Sequence, residues 1–285
     1  MRMQASCRDT VFAGLPACEL TLANADRLVV ALHGAHVLSW QSGGRERLYL
    51  SPQSVMDGQA AIRGGVPVCF PQFNQRGPMA DRLPKHGFAR HVRWTAGVPA
   101  LDSDVAQLTF RLSDSIQTRA WWPQAFEAEF DITLSPGRLT MALRVHNTDT
   151  QPLAFSGALH TYFAVADAAQ ATLQGLGGQA EWDSLTNTHA QAADTLRFGS
   201  EFDRVYEASP QAMTLDGQLR IRQSPSWANT VVWNPAEVLC AKLADMPNDG
   251  WRHMLCVEAA QVYEPITLPT GGRWEGWQSL EVLKA

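Results

Sequence analysis

FEAEFDITLSPGRLTMALRVH, residues 126–146, is the stretch of this 285-residue chain whose local structure is clearest. Its first half alternates apolar and polar residues with a period of two, the pattern of a strand that buries one face. The apolar set is Phe126, Ala128, Phe130, Ile132 and Leu134. Ser135, Pro136 and Gly137 then give a turn signal, because proline fixes φ and glycine accepts a positive φ. The alternation resumes at Leu139, Met141, Leu143 and Val145, so the stretch predicts a β-hairpin.

The same alternation recurs along the rest of the chain. It is clear over 106–112 and looser over four other segments, 28–33, 153–160, 219–223 and 229–233. Residues 236–244 contain helix formers between two prolines and predict one short helix. Strands do not alternate with helices, and neither a linker nor a short repeat divides the chain. We therefore expect an all-β fold with few short helices, in which residues 1–285 form one domain of two large antiparallel sheets packed face to face.

Composition and charge narrow the classes of function. The chain has 45% hydrophobic and 18% charged residues, as in an ordinary globular protein, and a net charge of -5. This acidity argues against nucleic-acid binding, which needs a broad basic face. No segment has the apolar length of a membrane span or a secretory signal, so we expect a cytoplasmic protein. The five cysteines form no C-x-x-C pair, which favours reduced, structural thiols.

Positive charge is concentrated in residues 61–94, the cationic window. It carries six cationic side chains against one acid, Asp81, and so has a net charge of +5 in a chain of net charge -5. The six are Arg63, Arg76, Arg82, Lys85, Arg90 and Arg93. Glycines, prolines and aromatic residues between them indicate loops. The cationic window therefore favours a loop-built pocket for a small anion.

Two strand-like segments carry candidate acid–base residues. His160, in SGALHTYF, shares a face with Ser156 and Ala158. It is either a hydrogen-bonded core histidine or a group that transfers protons near neutral pH. Glu258, in MLCVEAAQVY, lies among apolar residues, where burial of an unpaired charge is costly. It should therefore pair with an arginine or act as a general base in a cleft.

Three further residues are candidates for binding. His86 lies in KHGFAR, where the alternative is a merely solvated loop histidine. Asp203, in EFDRVY, either binds a ligand or pairs with a surface cation. Arg63 is either a surface charge or an anion ligand, since Gly64 and Gly65 after it let the backbone approach a ligand closely.

Motifs for metals and cofactors are weak. His33 and His36 should point to opposite faces of one strand. Neither this pair nor His86 with His91 has a cysteine or an acidic cluster at a spacing that would supply a third ligand. The chain has no GxSxG, P-loop or GxGxxG motif. We therefore expect neither a metal nor a cofactor.

Taken together, eight segments resemble the aldose 1-epimerase superfamily, and most closely its hexose-6-phosphate mutarotase branch. In order, they are HGAHVLSW at 33–40, LYLSP at 48–52, IRGGVPVCFPQF at 62–73, LPKHGFARHVRW at 83–94, ALHTYF at 158–163, FDRVY at 202–206, VVWNP at 231–235 and CVEAAQV at 256–262. They span nearly the whole chain, and the IRGG and HGFAR pair favours the phosphosugar branch. The resemblance implies a galactose mutarotase-like β-supersandwich whose concave face binds a pyranose.

The resemblance also implies roles for the candidate residues around the sugar. His160 would be the general acid on the ring oxygen, and Glu258 the general base on the anomeric hydroxyl. His86 would position the sugar, and Asp203 would hold sugar hydroxyls.

For the phosphate, the resemblance implies Arg63 and Arg90, whose guanidinium groups match phosphate oxygens bidentately. Arg76, Arg82 and Lys85 fit the family pattern less closely, so we expect them to gate the pocket or to face solvent. The expected partner is thus a small sugar phosphate rather than nucleic acid or membrane, and we expect a monomer.

The implied activity is the interconversion of the α and β anomers of hexose 6-phosphates, glucose 6-phosphate first among them. It proceeds by acid–base ring opening and closure and needs no cofactor. Two alternatives stay open on the same fold: a noncatalytic sugar-phosphate sensor and a free-aldose mutarotase. A polysaccharide hydrolase or lyase is a weaker third, because paired acid and base groups also cleave glycosides.

Overall fold

The computed structural model describes residues 4–76 and 79–283, and strands dominate its secondary structure. The first five strands form a small sheet in chain order: β1 (Ser6–Phe12), β2 (Leu15–Thr21), β3 (Arg27–Ala31), β4 (Val37–Ser42) and β5 (Arg45–Glu46). Each strand of this sheet is antiparallel to its neighbour.

The remaining strands form two larger sheets. In chain order they are β6 (Val68–Cys69), β7 (Thr95–Ala96), β8 (Ala100–Leu101), β9 (Ala106–Ser113), β10 (Phe126–Ser135), β11 (Arg138–Asn147), β12 (Leu153–Leu159), β13 (Tyr162–Ala164), β14 (Thr172–Gln174), β15 (Ala180–Asp183), β16 (Thr188–Gln191), β17 (Thr195–Arg197), β18 (Phe202–Glu207), β19 (Met213–Leu215), β20 (Leu219–Gln223), β21 (Asn229–Asn234), β22 (Met254–Leu268) and β23 (Arg273–Val282). Two short helices, α1 (Ile116–Trp121) and α2 (Ala236–Cys240), interrupt them.

The two larger sheets supply most of the core. One has ten strands, in the order β17-β14-β19-β20-β23-β11-β10-β9-β7, with β8 beside β9. The other has eight, in the order β16-β15-β18-β21-β22-β12-β6, with β13 beside β22. One continuous cluster of buried side chains includes Phe130 and Leu143 of the first sheet and Phe155 and Val257 of the second. The predicted all-β, antiparallel architecture is confirmed.

The hairpin predicted at 126–146 is β10 paired with β11 in a continuous antiparallel register from Phe126 opposite Asn147 to Ser135 opposite Arg138. Gly137, in the two-residue connection, has a φ of 71°. Burial alternates along both strands as the sequence pattern predicts. The apolar face of the hairpin therefore lies in the core, and the cost of ordering it is offset by burial of apolar surface.

The predicted helix at 236–244 forms but ends at Cys240. Beyond it the backbone continues in tight turns, with Leu243 N–H donating to the Cys240 carbonyl at 2.9 Å. Helix α1 was not predicted, because its first residue, Ile116, is 95% exposed and no apolar periodicity marks it. Its local signal is a capping box between Ser115 and Thr118. Among the described residues, no helix is long and apolar enough to cross a membrane.

Candidate active site

A cavity of about 260 Å³ opens on the eight-stranded sheet. Strands β15, β18, β21 and β22 contribute its base, and the cationic window and the α2 segment contribute its walls. Five of the six site residues predicted from the sequence line it: Arg63, His86, His160, Asp203 and Glu258. These side chains come from segments far apart in the chain, so the fold itself assembles the site.

A larger depression of about 1050 Å³ lies beside Tyr263 and Trp277. Among the described residues that line it, the charged ones are Glu207, Arg222 and Glu264, and none is a histidine. General acid–base catalysis needs titratable side chains within reach of the reacting atoms, most often a histidine or a carboxyl group. The smaller cavity, which holds a histidine next to a carboxyl group, is therefore the candidate active site.

His160 and Glu258 form the acid–base pair at the centre of this cavity. Leu159, at the end of β12, is opposite Ala259 of β22, so His160 comes level with Glu258 on the neighbouring strand. The His160 Nε2 atom lies 3.4 Å from the Glu258 Oε1 atom. The two residues are only 8% and 1% exposed. The sequence left two environments open for Glu258, pairing with an arginine or a place in a cleft. The structure places Glu258 in the cleft, in contact with a histidine.

Burial shifts the two groups in opposite directions. Removal from water, and then the like charge of Asp203, raises the pKa of Glu258 well above its ordinary value. Removal from water, and then the cations Arg90 and Arg63, lowers the pKa of His160 well below its ordinary value. A raised pKa makes a carboxylate a stronger base, and a lowered pKa makes an imidazolium a stronger acid. Burial thus makes imidazolium at His160 a stronger acid and carboxylate at Glu258 a stronger base, and it also disfavours both of these charged forms.

His86 faces the acid–base pair from the cationic window. Its ring centroid lies 5.4 Å from that of His160, with the ring planes at 71°. The backbone N–H of Asn74 donates to His86 Nδ1 at 3.1 Å, which leaves the ring proton on Nε2. Burial, followed by the charge of His160, lowers the pKa of His86. His86 is therefore a neutral imidazole with one N–H available to donate.

Arg63 reaches the cavity already paired. Its Nε and Nη2 atoms donate to the two carboxylate oxygens of Asp245, each at 3.1 Å, and its Nη1 atom donates to the Tyr162 hydroxyl at 3.4 Å. This fork fixes the guanidinium, while leaving it 23% exposed towards the cavity. Arg63 thus combines a fixed geometry with a partly neutralised charge.

Gly64 and Gly65, which were expected to let the backbone approach a ligand closely, lie against neighbouring backbone. A Cβ atom on Gly64 would lie 2.4 Å from the Tyr49 carbonyl oxygen, and one on Gly65 would lie 2.1 Å from the Val37 carbonyl oxygen. Both residues also have a positive φ, 112° and 61°. The glycines therefore let the turn pack against neighbouring backbone, which in turn places Arg63.

The other cations of the cationic window differ in whether they reach the cavity, and the sequence did not predict which of them do. Arg76 and Lys85 line the cavity, whereas Arg82 and Arg90 are not among its described lining residues. Arg90 donates from Nη2 to the Lys85 carbonyl at 2.8 Å and so supports the backbone of the cationic window. The guanidinium of Arg76 lies 4.4 Å from the centre of the Trp182 ring, a cation–π contact across the cavity.

Asp203 lies on β18 opposite Trp233 of β21 and lines the cavity. Burial raises the pKa of its carboxyl group, and the hydrogen bond from Ser184 opposes this shift. A polar acceptor so placed can receive hydrogen bonds from ligand hydroxyls.

Three aromatic or acidic residues of the site were missed in the sequence. Tyr162 stacks on His160 with ring centroids 4.8 Å apart and planes 8° apart, and Trp233 meets His160 edge to face at 6.2 Å. Tyr162 follows His160 by two residues, so the strand period was a usable signal. Asp245 gave no signal, because it lies 182 residues from its partner Arg63.

His33 and His36 do not share one strand, so that expectation was wrong. They flank the turn between β3 and β4, and their Nε2 atoms contact the carbonyl oxygens of Ala60 at 3.2 Å and Gly64 at 2.7 Å. His36 is fully buried, and burial lowers its pKa to about 3. It therefore stays neutral and supports the turn that carries Arg63.

Comparison with known proteins adds an independent line of evidence. The family model described as aldose 1-epimerase matches residues 19–281. A protein of Escherichia coli (strain K12) named "Putative glucose-6-phosphate 1-epimerase" is 36% identical over 244 residues, which cover 82% of this chain and 79% of that protein. A protein of Cenchrus ciliaris with the same name is 32% identical over 262 residues, covering 87% and 78%.

Solved structures agree with these sequence relatives. A structure from Salmonella typhimurium, described as a "putative mutarotase", superposes with a TM-score of 0.90 at 28% identity, covering 98% of this chain and 94% of that one. A galactose mutarotase-like protein from Clostridium acetobutylicum shares the fold, with a TM-score of 0.75 at 13% identity and 99% coverage of both chains. The predicted galactose mutarotase-like β-supersandwich is thus confirmed, and the chain belongs to the aldose 1-epimerase family.

Proposed function

We propose that this protein is a hexose-6-phosphate mutarotase that interconverts the α and β anomers of its substrate, with glucose 6-phosphate the first candidate. The observation that carries the proposal is the 3.4 Å contact between His160 Nε2 and Glu258 Oε1 inside a cavity that cationic side chains also line. The names of the relatives agree with this substrate class.

In the proposed reaction, Glu258 removes the proton of the anomeric hydroxyl while His160 donates a proton to the ring oxygen. The bond between C1 and the ring oxygen breaks, and the sugar opens to an aldehyde. Rotation about the C1–C2 bond presents the other face of the carbonyl group. His160 then takes the proton back from the attacking hydroxyl, and Glu258 returns its proton to the former carbonyl oxygen. Both residues regain their starting states, so no net proton is consumed.

The shifted pKa values indicate that the starting state, a Glu258 carboxylate beside a His160 imidazolium, is costly, because burial disfavours both charged forms. After ring opening, Glu258 is protonated and His160 is neutral. Burial favours this uncharged pair over the carboxylate and imidazolium that precede it. Proton transfer out of the charged pair is therefore favourable once that pair has formed, and each positioned acid or base contributes about 10² to 10⁴ in rate.

Substrate placement is proposed for the remaining residues of the cavity. The His86 Nε2–H donates to a sugar hydroxyl, and the Asp203 carboxylate accepts from others. Support comes from their position in the lining of the same cavity and from the fixed tautomer of His86.

The phosphate is proposed to bind on the cationic wall. The sequence expectation named Arg63 and Arg90. Arg63 stays in this role, while Arg90 acts through the Lys85 backbone that it holds. Lys85 and Arg76 join Arg63, since both line the cavity and the Lys85 charge is close enough to oppose the upward shift in the pKa of Glu258. Binding energy gained at the phosphate then orients the anomeric carbon.

Three wider expectations remain proposals. We propose that residues 1–285 form one domain, supported by one large core cluster whose members range from Ala5 to Leu280. A cytoplasmic location is supported by five cysteines that are all unpaired. A monomer is the third proposal, and light scattering coupled to size-exclusion chromatography would show a mass of one chain, 31.3 kDa, or contradict it.

The direct test of the function is magnetisation-exchange NMR on the two anomers of glucose 6-phosphate, with glucose as the control. We expect the protein to accelerate anomer exchange of the phosphosugar much more than that of glucose. Binding without acceleration would support a sensor instead, and equal acceleration of both sugars would support a free-aldose mutarotase.

A further inference from the structure

A third residue with ligand chemistry lies beside the acid–base pair. Cys256 precedes Glu258 by two residues on β22, so both side chains project from the same face of the strand. A ring nitrogen of His160, the Sγ atom of Cys256 and a carboxylate oxygen of Glu258 all lie within 4.8 Å of one another. Cys256 is 0% exposed and takes no part in the proposed sugar chemistry.

The cluster has unused bonding capacity. Among the described residues, the Oε2 atom of Glu258 and the Nδ1 atom of His160 are buried without a hydrogen-bond partner. Buried polar atoms without partners are costly and uncommon. A cation bound to the Glu258 carboxylate would satisfy its Oε2 atom, whereas binding to His160 through Nε2 would leave Nδ1 without a partner.

The geometry and charge suit a tetrahedral cation. Two metal–ligand bonds of about 2.1 Å at a tetrahedral angle place the ligand atoms about 3.4 Å apart. The distance from His160 Nε2 to Glu258 Oε1 is 3.4 Å. A thiolate and a carboxylate also neutralise a divalent charge, which lowers the cost of holding the cation in a buried site.

We propose that His160, Cys256 and Glu258 bind Zn²⁺ or a similar borderline divalent cation, with the fourth coordination position open to the cavity, and that this metal inhibits the enzyme. On binding, the Cys256 thiol releases its proton to solvent as the S–metal bond forms, Glu258 coordinates as a carboxylate, and His160 coordinates as a neutral imidazole. The metal occupies both groups that must exchange protons with the sugar, so catalysis stops. Metal binding is independent of the proposed function, whereas the inhibitory effect rests on it.

The softness of the ligand atoms predicts which cations bind this site. A sulfur and a nitrogen donor favour Zn²⁺ or Co²⁺ over Mg²⁺ and Ca²⁺, which prefer oxygen ligands. The sequence did not indicate this site. Cys256 and Glu258 are two residues apart on one strand, whereas His160 comes from a different part of the chain.

Binding is tested with Co²⁺ as a spectroscopic probe, on the full chain. Wild-type protein should show the absorption of tetrahedral cobalt together with a thiolate-to-cobalt charge-transfer band. Cys256→Ser should lose the charge-transfer band. The matched control is Cys240→Ser, a change at a buried cysteine of the same apolar cluster whose thiol donates to the Pro247 carbonyl, and it should keep the band. Circular dichroism establishes that each variant is folded, and Cys256→Ala replaces Cys256→Ser if the latter does not fold.

Inhibition is tested in the anomer-exchange assay, with each variant compared with its own metal-free rate. Zn²⁺ should slow the wild-type reaction, a chelator should restore it, and Mg²⁺ should have no effect. Cys256→Ser should need at least about tenfold more Zn²⁺ for half inhibition. Absence of the charge-transfer band in wild type, or its loss in Cys240→Ser instead of Cys256→Ser, overturns the site. An active enzyme that Zn²⁺ does not slow overturns the inhibition, whereas cobalt binding without any anomer exchange overturns the proposed function and leaves the site standing.

Discussion

The acid–base pair and the cationic window lie on the same cavity but are built in different ways. His160 and Glu258 stand on neighbouring strands of the eight-stranded sheet, are almost fully buried, and have strongly shifted pKa values. Arg76 and Lys85 project from irregular backbone and are exposed. The contrast indicates a division of labour, in which rigid, dry strands hold the groups that move protons and a wetter, loop-borne surface selects the substrate.

The largest expected effect on catalysis comes from changes to the acid–base pair on the strands, which is the strand side of the site. Glu258→Gln and His160→Ala should each lower kcat by about 10² to 10⁴, since each removes one positioned proton-transfer group. KM for glucose 6-phosphate should change little, because the proposed phosphate contacts are made by other residues. Magnetisation-exchange NMR measures both constants. A large rise in KM with kcat preserved would show that these residues bind sugar and do not transfer protons.

A smaller effect, confined to the phosphosugar, is expected from changes to the cations of the cationic window, which is the loop side of the site. Lys85→Gln and Arg76→Gln should each lower kcat/KM for glucose 6-phosphate by about 10- to 100-fold, as expected for a lost hydrogen bond to a charged group. The rate with glucose should stay the same. Arg82→Gln is the matched control, because it removes a cation of the same window that does not line the cavity. Equal losses in all three variants would mean that only the net charge matters.

Tyr162 connects the two regions, because its ring stacks on His160 and its hydroxyl accepts a hydrogen bond from Arg63. Tyr162→Phe keeps the ring and loses a long hydrogen bond, so kcat should fall by about two- to fivefold. Tyr162→Leu also loses the stacking of the ring on His160 and should lower kcat further. Steady-state anomer exchange measures both, with Tyr206→Phe on β18 as the control. If the Phe and Leu variants are equally active, the stacked ring does not position His160.

The smallest effect is on stability and depends on pH. The folded pKa of Glu258 lies above its ordinary value of 4.5, so in the interval above about 4.5 the folded protein holds a proton that the unfolded chain has lost. The free energy of unfolding contributed by this group therefore falls as pH rises through that interval. Glu258→Gln removes this pH-dependent contribution, so its free energy of unfolding relative to wild type should rise as the pH rises above about 4.5.

Thermal unfolding of wild type and Glu258→Gln across this pH range measures the difference. Glu129→Gln, at an exposed ion pair with Arg111, serves as the control and should show no such trend. A constant difference between Glu258→Gln and wild type at all pH values would contradict the raised pKa.

The sequence predicts the strand side of the molecule better than the loop side. The hairpin β10–β11 follows from local alternation and a two-residue turn, and both features are visible within about twenty residues. His160 and Glu258 were found as candidates because a titratable group inside an apolar strand is costly and needs a reason. Their contact was not deducible from spacing, since it depends on the pairing register of β12 with β22.

The loop side depends on contacts between residues that are distant in the chain. Neither the Arg63–Asp245 fork nor the cavity-facing position of Lys85 follows from periodicity, because irregular backbone has none. The position of Arg90 outside the described lining of the cavity, and the packing of the two glycines after Arg63, were not deducible for the same reason. Composition located the positive charge, but only the fold shows which cations reach the cavity.

The division between chemistry and selection is tested most directly by titrating glucose 6-phosphate into Glu258→Gln and Lys85→Gln by calorimetry, with anomer exchange measured on the same samples. The account predicts that Glu258→Gln binds the phosphosugar with near wild-type affinity but no longer accelerates exchange, and that Lys85→Gln binds it at least about tenfold more weakly while retaining kcat. Loss of affinity in Glu258→Gln together with preserved exchange at saturating substrate would contradict it.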